Sequence, residues 1–189
     1  MNRRVILQLM AAQAGLFLFG SQVFSAKMND KAQEMMGGQT LRLYSAEKGE
    51  YVELEKIVKT EAEWKKLLSA DRYHVLREEG TERAYTGELL KNKEYGVYRC
   101  AACDNDLYHS EHKFDSGTGW PSYYQAVAKE NVATREDRSF FMVRNELICS
   151  RCDSHLGHVF DDGPQPTGKR HCINSLSLTF KKLNKSGMM

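Results

Sequence analysis

The chain has 189 residues, of which 41% are hydrophobic and 28% are charged, the composition of an ordinary globular protein. A chain of this length buries roughly 70% of the surface that its unfolded form exposes, so its core does not require disulfide bonds. The 27 basic and 25 acidic residues nearly balance. Because the sequence also lacks a basic stripe interleaved with aromatic residues, nucleic acid is excluded as a predicted partner.

The N-terminal segment has the pattern of a secretory signal peptide. Arg3 and Arg4 precede an apolar run that ends at Gly20, and the small residues Ser25 and Ala26 follow it. We predict that residues 1–26 are a signal peptide and that the protein is exported to the periplasm, without stable membrane association after cleavage. An uncleaved membrane anchor and an organellar presequence are the alternatives.

Residues 27–58 are predicted to form a polar leader and a β-hairpin. The leader, residues 27–39, is polar and shows no hydrophobic periodicity. Apolar residues then recur at short spacing over residues 41–57, around a turn at residues 47–50.

Two short helices are predicted to follow the hairpin. Thr60 and Glu63 have the spacing of a capping box, and Trp64 is placed to anchor the first helix in the core. The second helix is predicted to begin near Ser69 and to end at Glu79.

The sequence after Gly87 changes to short runs that are rich in β-branched and aromatic residues and separated by turn signals. This pattern of short runs and turns predicts an antiparallel β domain preceded by the two helices. The predicted strands cover residues 95–99, 123–127, 139–148 and 173–180.

Four of the five cysteines form two C-x-x-C pairs, Cys100 with Cys103 and Cys149 with Cys152. Two intervening residues allow both sulfurs of a pair to face one ion, and four thiolates complete the closed tetrahedral shell of structural Zn²⁺. Two disulfides are the alternative, and export favours them. Because such disulfides close small loops and add little stability, we predict one structural zinc ion per chain.

The fifth cysteine, Cys172, has no partner in the sequence and is a candidate reactive thiol. If residues 173–180 continue its strand, Cys172 and Asn174 share one face. Arg170 and nearby histidines are expected to lower the pKa of the thiol and so favour the thiolate. A buried structural cysteine is the alternative.

His155 and His158 lie three residues apart with Gly157 between them, and a turn there is predicted to bring both rings to one site. Since the four paired cysteines already satisfy a zinc ion, proton transfer is a more economical role for these rings than metal binding. The alternative for either ring is a place in the core.

Two further positions have open interpretations. Asp162 lies in a run whose composition is that of a turn, where a solvated acid is the simplest reading. Trp120 is flanked by Gly119 and Pro121 in a tight turn, so its ring either fills the core or forms the wall of an apolar pocket.

Taken together, these motifs resemble those of the B-type methionine-R-sulfoxide reductases. The resemblance covers residues 59–182 and implies a mainly β fold of two antiparallel sheets in a small barrel-like or tent-like core with short N-terminal helices. Residues 183–189 are then a C-terminal tail. Besides the C-x-x-C pairs, the resemblance rests on residues 81–83 (TER), 114–122 (FDSGTGWPS), 155–164 (HLGHVFDDGP) and 167–175 (TGKRHCINS).

The resemblance implies repair of oxidised proteins by thiol-dependent reduction of methionine-R-sulfoxide in proteins and peptides. Cys172 would attack the sulfoxide and become a sulfenic acid, while His158, held by Asp162, donates a proton to the oxygen and His155 acts as a second donor. Carried over in the same way, Trp120 and Phe160 would bind the substrate, and Arg170 and Asn174 would surround the sulfoxide and the thiolate.

The sequence departs from a common family pattern at Thr118, where many members carry a resolving cysteine. With the other four cysteines assigned to zinc, a thioredoxin-like or other external thiol is predicted to reduce the sulfenic acid. Ala84 and Leu176 are smaller departures at the predicted pocket floor.

Two functions of other classes remain compatible with parts of the sequence. A zinc-ribbon binding module would use the four paired cysteines and leave Cys172 incidental. A cysteine hydrolase would pair Cys172 with one of the histidines and would consume no thiol.

Overall fold

Antiparallel β-strands make up most of the fold. The computed structural model describes residues 38–137 and 144–184, and these ranges contain eleven strands and two short helices. The predicted signal peptide, most of the leader and most of the tail lie outside the described residues. No helix within the described ranges is both long and apolar enough to cross a membrane.

The elements of the described ranges have the following bounds. The helices are α1 (Glu61–Leu67) and α2 (Ala70–Arg77), and short 3₁₀ turns cover Ser110–His112 and Ser175–Ser177. The strands are β1 (Thr40–Ser45), β2 (Glu50–Glu55), β3 (Gly96–Cys100), β4 (Asp106–His109), β5 (Lys113–Phe114), β6 (Ser122–Tyr123), β7 (Val132–Asp137), β8 (Arg144–Cys149), β9 (His155–Phe160), β10 (Arg170–Ile173) and β11 (Leu178–Lys182).

These strands form two larger antiparallel sheets and a separate hairpin. The first sheet has six strands in the order β5-β6-β10-β9-β8-β7, and the second has three in the order β11-β3-β4. Aromatic packing joins them, since Tyr108 of the second sheet stacks on Tyr123 of the first with ring centroids 4.3 Å apart. The mainly β class with short N-terminal helices is therefore confirmed.

Both helices begin as predicted. The Thr60 hydroxyl accepts from the backbone N–H of Glu63, and the Glu63 carboxylate accepts from the backbone N–H of Thr60 at 2.7 Å. Ser69 caps α2 in a similar way through its hydroxyl. Trp64 is only 2% exposed, so its predicted role in the core is confirmed.

The hairpin of β1 and β2 is present and is attached to the core by a buried amide. The Asn131 side chain accepts from the backbone N–H of Tyr44 at 2.9 Å and donates to the Tyr44 carbonyl at 2.8 Å. The same amide nitrogen donates to the carbonyl of Asp106 at 2.7 Å, at the start of β4. The Asn131 side chain therefore links the hairpin to the second sheet by hydrogen bonds.

The predicted strand over residues 173–180 is wrong. Strand β10 ends at Ile173, the chain turns through Ser175–Ser177, and β11 continues in the other sheet. The buried carboxylate of Glu82 accepts from the backbone N–H groups at the start of this turn and so stabilises it. The predicted strand at residues 123–127 is likewise limited to Ser122–Tyr123.

The predicted turn between His155 and His158 is wrong as well, because both residues belong to β9. The pairing of β8 with β9 shifts in register between Leu147, which lies opposite Gly157, and Ile148, which lies opposite His155. A Cβ atom on Gly157 would lie 2.0 Å from the carbonyl oxygen of Cys172. Only glycine therefore allows β9 and β10 to approach this closely.

Candidate active site

The candidate site lies over the middle of the six-stranded sheet. Cys172 on β10 pairs with His158 on β9 and, on its other side, with Ser122 on β6. A cavity of about 190 Å³, called here the thiol cavity, opens over these strands. It is lined by Thr81, Trp120, Arg144, Gly157, His158, Phe160, Cys172, Ile173 and Asn174.

The structure therefore brings five of the predicted site residues to one cavity. These are Cys172, His158, Asn174, Trp120 and Phe160. The other three do not line it: Asp162 is on the surface, Arg170 lies behind Phe160, and His155 is buried on the far side of His158.

Burial dominates the environment of the Cys172 thiol. It raises the pKa of the thiol above its ordinary value, and the positive charge of Arg170 and the Thr118 hydroxyl, 4.0 Å from the sulfur, oppose this without outweighing it. Arg170 therefore acts on the pKa in the predicted direction, but burial outweighs it and the net shift in the free protein is upward. At neutral pH the resting group is the thiol, not the thiolate.

Arg170 is held in place from two sides. The Asp162 carboxylate accepts from its guanidinium at 2.8 Å through each oxygen, and the guanidinium carbon lies 4.4 Å from the centroid of the Phe160 ring. This contact corrects the expectation that Asp162 holds His158. Asp162 is 62% exposed, and its own negative charge contributes to raising the pKa of the Cys172 thiol.

His158 is held by a residue that the sequence analysis missed. Its Nε2 donates to the Asp137 carboxylate at 3.0 Å, and Arg144 donates to the same carboxylate at 2.7 Å. Burial lowers the pKa of His158 although Asp137 opposes it, so the ring is neutral at neutral pH. Asp137 sits in a charged run of residues at the end of β7, where nothing in the sequence distinguishes it.

His155 is buried behind His158. Its Nδ1 donates to the Glu146 carboxylate at 2.7 Å, and the two histidine rings lie 5.4 Å apart. Although burial opposes it, hydrogen bonds from His155 and Arg135 hold the pKa of Glu146 below its ordinary value. His155 lines a separate cavity of about 280 Å³, which His158 also borders. It therefore supports the His158 ring from behind.

Glu82 is a second residue that the sequence analysis left without a role. Its carboxylate accepts from the backbone N–H groups of Ser175 at 2.6 Å and Leu176 at 2.8 Å, and the residue is only 8% exposed. Its backbone N–H donates to the Asn174 side chain, and its carbonyl accepts from the Trp120 indole, both at 3.1 Å. Glu82 therefore connects two walls of the thiol cavity with the turn that follows β10.

The paired cysteines form a buried cluster at a second site. Their sulfurs all lie within 4.8 Å of one another, with 3.7 Å between Cys100 and Cys152 and 3.5 Å between Cys103 and Cys149. Four sulfurs about 2.3 Å from a tetrahedral ion would lie about 3.8 Å apart. A disulfide would require about 2.0 Å. The cluster therefore fits a metal ion and none of the five cysteines is disulfide-bonded.

The two C-x-x-C segments have the same local structure. In each, the first cysteine's carbonyl accepts from the backbone N–H of a following aspartate at 2.9 Å, Asp104 in one and Asp153 in the other. Both aspartates adopt the left-handed conformation, with φ of 56° and 54°. Because one segment follows β3 and the other follows β8, the cluster joins the two larger sheets.

One family model and several known proteins match most of the described β domain. A family model described as "SelR domain" matches residues 68–182. The chain is similar to "Peptide methionine sulfoxide reductase MsrB" of Methanosarcina barkeri, with 60% identity over 125 residues that cover 66% of this chain and 88% of that protein. The protein of the same description in Methanosarcina mazei is 56% identical over 132 residues, covering 70% and 94%.

Two further similarities were found. "Peptide methionine sulfoxide reductase B1, chloroplastic" of Arabidopsis thaliana is 53% identical over 142 residues, covering 75% of this chain and 67% of that protein. Among solved structures, the Mis18 "Yippee-like" domain is similar with a TM-score of 0.40 and 20% identity, over 49% of this chain and 100% of that domain.

Replacing Glu82 tests its role in holding the cavity walls. In Glu82→Gln an amide NH₂ faces backbone donors, so one of the two N–H groups loses its acceptor and the free energy of unfolding should fall by about 1–3 kcal/mol. Urea denaturation measures this change. Glu88→Gln, an exposed change on the same loop, is the control and should leave stability unaltered. Equal stability of the two variants would contradict the role of Glu82.

Two substitutions should move the pKa of the Cys172 thiol in opposite directions. Arg170→Met removes a cation that favours the thiolate, so the pKa should rise further. Asp162→Asn removes an anion that disfavours the thiolate, so the pKa should fall slightly. The pH dependence of alkylation by iodoacetamide measures both shifts, since the rate follows the thiolate and rises with pH. A lower pKa in Arg170→Met would contradict the electrostatic account.

Proposed function

The chain belongs to the SelR domain family, and from this membership we propose how its residues carry out the family's reaction. The protein is a peptide-methionine (R)-S-oxide reductase. We propose that Cys172 is the nucleophile, that His158 transfers the proton, and that Trp120 and Phe160 form the pocket for the substrate side chain. The observation that carries this proposal is the direct pairing of Cys172 with His158 across β9 and β10, at the floor of an apolar cavity.

The proton balance of the reaction is compatible with a neutral Cys172 thiol and a neutral His158 ring. The thiol of Cys172 and the sulfoxide react to give a sulfenic acid and a thioether, so the S–O bond of the substrate breaks and the oxygen ends on Cys172 together with one hydrogen. No net proton is taken from water. A neutral His158 accepts the thiol proton as the sulfur attacks, and then donates it to the sulfoxide oxygen as charge develops there.

The residues around Cys172 and His158 favour this transfer by stabilising the charges that form and by providing apolar walls for the substrate. The Asp137 carboxylate, 3.0 Å from His158 Nε2, stabilises the imidazolium that forms during the transfer. Arg170 stabilises negative charge on Cys172. Trp120 and Phe160 supply apolar walls, which suit the methyl group on the sulfoxide sulfur.

We infer that the cysteine cluster holds one structural Zn²⁺ ion. The sulfur separations support this ion, and four thiols buried together require a cation before they can ionise. A shell of four thiolates leaves no open position for substrate, so the ion would connect the two sheets and take no part in catalysis.

Elemental analysis of folded, metal-replete protein should therefore find one zinc per chain. Removing the ion with a chelator should unfold the β domain, because its binding free energy is part of the folding free energy. Cys172→Ser should bind the same amount of zinc and serves as the control. Folded protein without zinc, with four cysteines that resist alkylation, would disprove the assignment.

We also propose that an external thiol regenerates the enzyme. Thr118, at the position where a resolving cysteine would stand, presents a hydroxyl 4.0 Å from the Cys172 sulfur and cannot form a disulfide. The other four cysteines are buried in the cluster. One thiol of a thioredoxin-like partner displaces the sulfenic oxygen as water and forms a mixed disulfide, and a second thiol releases Cys172.

Intact-mass spectrometry after a single turnover without reductant tests this cycle. The protein should gain one oxygen atom, and the oxygen should be absent from Cys172→Ser. Thr118→Cys is a matched variant that introduces the missing thiol, and it should lose two hydrogens by forming a disulfide. A loss of two hydrogens in the unmodified protein would disprove direct reduction by an external thiol.

The reaction itself is tested with separated R and S epimers of a blocked methionine sulfoxide, with dithiothreitol as reductant. The R epimer alone should be consumed, and Cys172→Ser should abolish the activity because it removes the nucleophile. His158→Gln should lower kcat by about 10²-fold or more, since it removes the proton-transfer group. Unchanged reduction by Cys172→Ser would overturn the proposed mechanism.

A further inference from the structure

A second and larger cavity adjoins the thiol cavity through a shared wall. This groove of about 710 Å³, called here the lysine groove, is bordered by Trp120, which also lines the thiol cavity. Phe114, Pro121 and Leu90 contribute apolar surface to it. A substrate side chain that occupies the thiol cavity would therefore leave its neighbouring residues beside this groove.

The charged residues of the groove are mostly basic. Lys91, Lys93 and Lys113 line it together with one acid, Asp115. The Lys113 ammonium donates to the carbonyl of Leu90 at 2.6 Å, which holds this charge at the groove wall. Lys91 and Lys93 are exposed on the adjoining loop. The groove therefore has a net positive charge, in contrast to the nearly neutral chain.

An exposed tyrosine is fixed in the wall of the lysine groove. Tyr85 is 69% exposed and has a φ of 68°, a conformation that aromatic residues rarely adopt. Its hydroxyl donates to the Gly117 carbonyl at 2.6 Å, and its backbone N–H donates to the Gly119 carbonyl at 2.8 Å. Strain of this kind is associated with binding sites. A rigid exposed ring also loses little entropy when it contacts a partner.

Strand β5, which contributes Phe114 to the groove, belongs to the same sheet as the nucleophile Cys172. Phe114 on β5 pairs with Ser122, and Ser122 pairs with Cys172, so the backbone of Phe114 lies two strands, about 10 Å, from the backbone of Cys172. In the described part of the chain β5 is the outer strand of its sheet. An extended peptide advances about 3.3 Å per residue, so residues two to four positions from a bound methionine sulfoxide would reach the groove.

We propose that the lysine groove binds an acidic segment of the substrate polypeptide that flanks the oxidised methionine. This inference rests on the proposed function and deepens it by naming the substrate class. Apolar contact with Tyr85 and Phe114 positions the peptide, and Lys91 and Lys93 attract carboxylates next to it.

Kinetics with three substrates test the proposal, all with dithiothreitol as reductant. They are a heptapeptide with central methionine-R-sulfoxide and aspartates near both ends, the same peptide with lysines in place of the aspartates, and a blocked methionine sulfoxide. The acidic peptide should have the higher kcat/KM, by about fivefold at low salt for two or three surface ion pairs. The difference should narrow as ionic strength rises.

The double variant Lys91→Gln, Lys93→Gln should remove most of this difference and leave the blocked sulfoxide unaffected. Lys48→Gln, Lys66→Gln is the matched control, with equal loss of charge at exposed positions outside the groove. Equal reduction of acidic and basic peptides by the unmodified protein would overturn the proposal. So would an equal loss of activity on the peptides and on the blocked sulfoxide in the groove variant.

Two other outcomes would show that the groove binds something else or that the proposed function itself is wrong. If the groove variant slows turnover only when a thioredoxin-like protein replaces dithiothreitol, the groove binds the reductant and the proposal is wrong. If the blocked sulfoxide is not reduced at all, the proposed function fails, and this result is distinguishable from a failure of the groove alone.

Discussion

The close approach of β9 to β10 at Gly157 is the constraint on which the site depends. A side chain at this position would collide with the backbone of Cys172, so the absence of a Cβ allows the two strands to pair. That pairing sets His158 opposite Cys172. The acids that support the histidines then come from the strands beyond, Asp137 from β7 and Glu146 from β8.

Burial keeps the reacting groups uncharged before substrate arrives. It raises the pKa of the Cys172 thiol and lowers that of His158, although each has a charged neighbour that opposes the shift. A neutral thiol is a weak nucleophile and is also less exposed to oxidation in the absence of substrate. The free energy needed to form the thiolate is then offset in the complex with substrate, where the sulfoxide oxygen receives the proton.

Two residues with no contact to the reacting atoms hold this arrangement together. Glu82 bonds to Asn174 and to the indole of Trp120, and its carboxylate stabilises the turn between the two sheets. Asp162 orients Arg170 against Phe160. Both acids lie in motifs that the sequence analysis recognised. The partners of Glu82 are distant in the sequence and were not predicted, whereas Asp162 was assigned to His158 and instead binds Arg170, eight residues away.

By itself, the sequence determined what local patterns encode: the caps of both helices, the hairpin, the paired cysteines and the odd Cys172 with its histidines. It did not determine that β10 ends at Ile173 or that Asp137 holds His158. A carboxylate capping a turn 93 residues away, or an acid two strands from its histidine, leaves no periodic or spacing signal. Burial also reversed the expected shift in the pKa of Cys172, because desolvation depends on the whole folded environment.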